Sequence, residues 1–254
     1  MAIDYTKRSR PAAAGSSAVS LEKVQTVAPR LVNLYKTARI SLEKSGLAGQ
    51  RAAVYLVLDR SLSMGRHYKS GAVQRLAEQA LGLSANLDDD GVVPVVFFST
   101  EIDGIAEVGL DDYEGRIGAL HDGYGRMGRT NYHLAMQAVI DHYAASGCTA
   151  PALVIFQTDG GPTSRTAAEH VLCTAARLPI FWQFIGFGDP EGKQFDFLRK
   201  LDDLPVPTKR PVDNAGFFPV GNTPSAVPDE VLYDALMSEF PMWLRSARAT
   251  GILG

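Results

Sequence analysis

From residue 52 onward, short apolar runs alternate with stretches whose apolar residues recur at helical spacing, and this alternation narrows the fold more than any other feature. The runs are AAVYLVL at Ala52–Leu58, VVPVVFFS at Val92–Ser99, ALVIFQ at Ala152–Gln157 and PIFWQFIGF at Pro179–Phe187. Their length and their content of β-branched and aromatic residues read as strands buried on both faces. Between them, Lys69–Leu87 carries apolar residues at Val73, Leu76, Ala77, Ala80, Leu81 and Leu87, and Tyr132–Tyr143 repeats the pattern. Both read as helices, as do Thr163–Arg177 and Lys193–Leu201. Strands without a polar face need cover on each side, so the expected class is α/β: a doubly wound, mostly parallel central sheet flanked by helices.

The remaining segments are less regular. Pro94 is expected at a strand start or a bulge, because it cannot donate to a ladder. An edge strand is expected at Ile105–Val108, followed by a helix. Residues 203–228, rich in Pro, Gly, Asn and Asp, read as a loop with one strand at Gly216–Val220. Asp229 suits the N-cap of a final helix with Leu232, Leu236 and Phe240 on one stripe, broken or kinked by Pro241 and stopped at Gly251. Ahead of the alternation, residues 1–19 read as a flexible tail and 20–50 as a helical lead-in. Leu31, Leu34, Tyr35, Ala38 and Leu42 share one face of that lead-in, with Pro29 in its first turn. Residues 51–254 form the domain proper.

Bulk properties exclude some functions. The 254 residues are 46% apolar and 21% charged, with a formal net charge of -3, so no strong basic field for nucleic acid is present. No run approaches the roughly 18–20 apolar residues of a membrane span. The first twenty residues lack the apolar stretch of a signal peptide. Cys148 and Cys173 are the only cysteines and read as inert thiols in a reducing compartment, which sets the expected location as cytoplasmic.

In a doubly wound sheet, ligands bind beyond the carboxyl ends of the strands. Three polar clusters fall there: Asp59-Arg60-Ser61-Leu62-Ser63 after the first run, Thr158-Asp159-Gly160 after the third, and Gly128-Arg129-Thr130-Asn131 ahead of the 132–143 helix. Carboxylates and hydroxyls without imidazole or thiolate make a hard oxygen site, suited to Mg²⁺ or Mn²⁺ and not to zinc. Alternate spacing lets Asp59, Ser61 and Ser63 aim three oxygens at one point.

Asp59-x-Ser61-x-Ser63, with Thr130 and Thr158-Asp159-Gly160 following in order, resembles the metal-ion-dependent adhesion site of von Willebrand factor A domains. The resemblance covers roughly residues 50–200. It implies that Ser61, Ser63 and Thr130 contact a metal through their hydroxyls, and that Asp59 and Asp159 do so directly or through water. Leu62 departs from the pattern, where glycine is common. Within that family the chain looks most like bacterial A-domain proteins of tellurium-resistance and stress-response clusters. The strings that carry this are VSLEKVQTVAPRLVNLYKTARISLEK, VLDRSLSM and EFPMWLRSARATGIL.

Other motifs read more plainly. Asp88-Asp89-Asp90-Gly91 lacks the downstream ligands of a calcium loop and reads as a solvated turn. Gly123 to Gly128 spells G-x-G-x-x-G, but a helix or turn precedes it where a dinucleotide fingerprint needs a strand. A flexible loop before Thr130 is expected there instead. His67, His121 and His133 are expected on the surface or behind the site. There is no G-x-S-x-G elbow, no Walker sequence, and Ser61 stands where a phosphoaspartate phosphatase wants a second acid. The expected function is a metal-dependent protein-binding module whose partner supplies a Glu or Asp carboxylate. A metal-dependent hydrolase acting on a phosphoester is the alternative.

Overall fold

The computed structural model describes residues 17–254. Six strands form one sheet: β1 (Ala53–Asp59), β2 (Val92–Phe98), β3 (Ile102–Gly109), β4 (Ala152–Thr158), β5 (Ile180–Phe187) and β6 (Ala215–Gly221). Their order across the sheet is β3-β2-β1-β4-β5-β6, parallel throughout except for β3, which runs antiparallel to β2. That is a doubly wound α/β arrangement, with its topological switch point between β1 and β4. Every residue of β1, β4 and β5 is buried. Side chains of β1 alternate between two cores. Val54, Leu56 and Leu58 enter one, and Ala53, Tyr55 and Val57 enter the other.

The first core is covered by α2 (Val32–Lys44), α4 (Ala72–Leu87), α9 (Asp229–Leu236) and α10 (Phe240–Ala249). The second is covered by α6 (Tyr132–Ser146), α7 (Arg165–Ala175) and α8 (Asp196–Asp202). The short helices α1 (Leu21–Val27), α3 (Gly65–Lys69) and α5 (Arg116–Gly123) complete the order.

Several boundaries move. The lead-in is two helices, because Pro29 opens a 3-10 turn at Pro29–Leu31 that separates α1 from α2. All five residues of the expected apolar face are buried, packed into the same core as α4 and α9. Most of the expected tail lies outside the described residues, but residues 17–19 are docked. Val19 is buried and donates to the Ala85 carbonyl, while the Ser17 hydroxyl donates to Asn86. Pro94 sits one position before the β1–β2 ladder begins, and the sheet irregularity falls instead between Phe97 and Phe98. The edge strand is longer than expected and half-exposed. Pro228, not Asp229, occupies the N-cap of α9. Asp229 lies in the first turn, where both of its oxygens accept from Arg75. Pro241 falls in the first turn of α10, so the Leu232–Leu236–Phe240 stripe is buried across a helix break. No helix among the described residues is long and apolar enough to cross a membrane.

Candidate metal centre

Asp59 is the last residue of β1, and Thr158 is the last of the neighbouring strand β4. Parallel pairing brings these ends side by side at the switch point, and the Thr158 hydroxyl donates to Asp59 Oδ2 at 2.6 Å. The chain then turns, and the Ser61 amide donates to Asp59 Oδ1 at 2.6 Å. Ser61 Oγ and Ser63 Oγ are 3.2 Å apart, and Ser63 Oγ donates to Asp159 Oδ1 at 2.8 Å. Thr158, Asp59, Ser61, Ser63 and Asp159 thus form one circuit of hydrogen-bonded residues, with the Ser61 amide as the link to Asp59 and the Thr158–Asp159 peptide bond joining its ends.

The loop that carries Thr130 meets this group through Gly128, while Thr130 itself bonds to Thr163. Gly128 pairs with Ser61 as an isolated parallel bridge, and the Leu62 amide donates to the Gly128 carbonyl. Two residues on, the Thr130 amide donates to Thr163 Oγ1 and its carbonyl accepts from the Thr163 amide. Its hydroxyl makes no hydrogen bond to a described residue. The three polar clusters expected from the sequence are therefore brought to the carboxyl end of the sheet, where hydrogen bonds link Asp59, Ser61, Ser63 and Asp159, and Thr130 lies two residues beyond the Gly128 contact.

Asp59 is 0% exposed, so water does not solvate its charge. Burial pushes its pKa up to about 7, against the opposing pull of the hydrogen bonds from Thr158 and Ser61. A fully buried carboxylate with donors already on both oxygens, and other oxygens gathered around it, has the chemistry of a cation ligand. Among the described residues no cluster of three or more His, Cys, Asp or Glu could hold a metal, which leaves a mixed carboxylate–hydroxyl set as the fit. That set suits a hard divalent cation and disfavours one that needs soft ligands.

Behind the circuit stand two tyrosines that the sequence did not assign to the site, with His121 and His67, which it expected on the surface or behind it. The Tyr132 hydroxyl donates to Thr158 Oγ1 at 3.1 Å and also meets the Gly160 carbonyl, tying α6 to both flanks of Asp159. The Tyr68 hydroxyl donates to the Asp59 carbonyl at 3.1 Å, and its ring stacks on His121 at 3.9 Å. Burial raises both phenols well above their ordinary range, so they stay neutral. His67 is buried against Phe187, and burial lowers its pKa.

The expectation of a flexible loop before Thr130 is corrected. Residues within 121–131 hydrogen-bond to Arg60 just after β1 and to Ser99 and Thr100 between β2 and β3, and Gly128 lies so close to Ser99 and Thr100 that an added Cβ would come within 2.4 Å of Thr100 Oγ1. Close backbone approach, not freedom, explains that glycine. The helix α5 precedes it, so no strand leads into the G-x-G-x-x-G string.

A doubly wound sheet whose switch point gathers this motif is a von Willebrand factor A-type domain. More narrowly, the chain belongs to the vWA-TerF-like family, described as the vWA found in the TerF C terminus, which matches residues 51–253. The family name carries the tellurium-resistance link. Over 222 residues the chain is 33% identical to the uncharacterized protein YcbR of Bacillus subtilis (strain 168), spanning 86% of this chain and 88% of that one. Among solved structures it resembles proximal thread matrix protein 1 from the mussel byssus, with a TM-score of 0.51 and 17% identity, over 74% of this chain and 47% of that one. That likeness is one of fold.

Proposed function

We propose that this chain is a protein-binding module, not a catalyst, in a bacterial stress or tellurium-resistance system. One Mg²⁺ or Mn²⁺ would be held by Asp59, Ser61, Ser63, Thr130 and Asp159. The bound ion would supply an electrophilic coordination position for a Glu or Asp carboxylate of the partner. The observation that carries this reading is the hydrogen-bonded group of hydroxyls and carboxylates around Asp59, which is wholly buried at the switch point.

The surroundings support binding over turnover. Hydroxyls add no formal charge, so a divalent cation here keeps its preference for an outside anion. Arg126 and Arg129 are exposed on the pinned loop and reinforce that preference at short range. Leu62, between the two serines, is 76% exposed, the highest value among the large apolar side chains described. Both oxygens of Asp59 accept hydrogen bonds, His67 is buried, and the nearby tyrosines are neutral phenols. Among the described residues near the site, no base stands beside a nucleophile in position to activate it.

Calorimetry with Mn²⁺ tests the metal, and affinity capture with and without EDTA tests the partner. One tight site in the wild type, lost in both Asp59→Ala and Asp159→Ala, is the expected result. Unchanged stoichiometry and affinity in both variants would rule the site out. Metal-dependent phosphoester turnover that disappears in Asp59→Ala would move the chain to the hydrolase class.

A further inference from the structure

Arg60 lies between two candidate ligands, yet its side chain is 1% exposed and turned away from them. A buried guanidinium is costly unless each of its donors is met. Here Nε donates to His121 Nδ1 at 3.1 Å, and Nη2 donates to the His121 carbonyl at 3.3 Å and the Gly125 carbonyl at 2.9 Å. Nη1 lies 2.9 Å from Asp103 Oδ2 as an ion pair, without the geometry of a hydrogen bond, and the guanidinium carbon lies 5.3 Å from the centre of the Tyr124 ring. The main chain of Arg60 grips the same segment, since its carbonyl accepts from the Gly128 amide at 3.2 Å. One residue thus holds the stretch that leads to Thr130 at positions 121, 124, 125 and 128.

The circuit closes on the far side of Thr130. Asp103 Oδ1 accepts from Ser99 Oγ, the Ser99 carbonyl accepts from the Asn131 amide, and the Arg129 amide donates to Thr100 Oγ1. Arg60 and its partners therefore define the main-chain path on both sides of Thr130, while its own peptide units set the spacing from Asp59 to Ser61. Tyr124 takes part because Gly104 of β3 has no Cβ. One added there would come within 2.4 Å of the tyrosine ring.

We infer that Arg60 is a positioning residue for the metal site, acting as a clamp that registers the Thr130 loop against the Asp59–Ser63 loop. This rests on the metal-binding reading above. Its chemistry is specific to arginine. A lysine keeps the charge opposite Asp103, but as a single ammonium it cannot reach two carbonyls, an imidazole and a carboxylate in one plane. Residues that orient metal ligands from behind typically change affinity by about 10- to 100-fold when replaced.

The test compares the wild type, Arg60→Lys and Asp59→Ala by Mn²⁺ calorimetry, by melting in EDTA, and by amide exchange of the peptide spanning 124–131. The expected result for Arg60→Lys is Mn²⁺ affinity about 10- to 100-fold weaker, with faster exchange at 124–131. Exchange elsewhere should be unchanged, and the fold should be intact by circular dichroism. Wild-type affinity in a folded Arg60→Lys protein overturns the clamp, even if its melting temperature drops, because a purely structural plug would move only stability. If Arg60→Lys does not fold, Asp103→Asn, which releases the same guanidinium from its carboxylate, takes its place with the same two readouts. If the wild type binds no Mn²⁺, the metal reading fails by itself. The clamp is then decided by exchange alone, and unaltered protection at 124–131 removes it.

Discussion

The sheet carries a fully buried arginine near each end, and the two ends treat their carboxylates differently. At the carboxyl end of the strands, Arg60 is met by one carboxylate, Asp103, and by an imidazole and carbonyls. Asp59, the other buried acid there, receives its donors from a hydroxyl and an amide. At the opposite end, Arg210 is likewise 1% exposed, bonded to the carbonyls of Asp202 and Leu204 and to Asn214, and paired with Asp213 at 2.7 Å. There the acids crowd. Burial, then the charges of Glu239, Asp213 and Asp203, push Asp202 up to about 7. Asp213 and Glu239 are also raised, first by burial. Asp202, Asp203 and Asp213, with Val206, line a cavity of about 560 Å³.

Asp59 and Asp202 thus reach the same elevated pKa, in both cases first by burial, and the difference lies in which other atoms face each carboxylate. A carboxylate raised by burial while donors hold both its oxygens is poised for a cation. At Asp59 a single further acid, Asp159, adds a smaller push, whereas at Asp202 three acids, Glu239, Asp213 and Asp203, add to burial against Arg210 alone. A perturbed pKa alone does not mark a metal ligand; the identity of the atoms facing it does.

The largest effect that would break this contrast is on metal binding itself. Asp59→Ala should abolish Mn²⁺ binding by calorimetry, while Asp202→Asn should leave stoichiometry and affinity as in the wild type. An Mn²⁺ site that survives the first change and vanishes in the second would place it at the wrong end of the sheet.

Next in size is the partner's carboxylate. If it completes the metal shell in a buried contact, its conversion to an amide should cost about 2–5 kcal/mol of affinity. A scan of Asp→Asn and Glu→Gln changes on a captured partner measures this. If none of them weakens binding, the ion only ties the loops together.

Stability against pH sharpens the comparison further. The folded protein raises Asp59 from 3.8 to about 7, so folding takes up a proton between those values. The resulting stability is present below the unfolded value near 4 and is lost as pH rises through 7, by no more than about 4 kcal/mol. In denaturant titrations the metal-free protein should therefore weaken between pH 5 and pH 8 more than Asp59→Asn does. Mn²⁺ at pH 8 should restore the wild type, because the cation replaces the proton. Asp202 loses stability in the same direction, by an amount reduced by its partial exposure, and Mn²⁺ should not return it. Equal pH slopes in wild type and Asp59→Asn would show that Asp59 titrates as an ordinary surface acid.

The smallest expected effect is at the rim. Leu62→Ser, at an exposed position, should change stability by no more than about 0.5 kcal/mol and leave Mn²⁺ affinity as it is. Melting curves and calorimetry on the same preparation check both. A large loss of Mn²⁺ affinity would show that the Leu62 side chain shapes the site itself.

Much of this was legible in the chain because the underlying interactions are local and periodic. Apolar runs such as AAVYLVL must be buried on both faces, and amphipathic stretches must cover them, so the parallel sheet follows from residue order. Ligand residues at strand ends follow too, since the loops after such strands meet at one edge. Element limits were less legible. Pro29 and Pro241 mark helix breaks whose placement depends on what each neighbouring helix packs against.

By itself, then, the sequence determined the fold class and brought Asp59, Ser61, Ser63, Thr130 and Asp159 within one family pattern. It could not show that Arg60 turns inward and binds residues sixty and more positions later, or that Gly128 is needed for contact with Ser99 and Thr100. Nor could it show that Asp59 and Asp202 both have a raised pKa, since burial and neighbours set an aspartate's charge. Those outcomes depend on which distant atoms are brought together and how far water is excluded. Only the tertiary structure decides both.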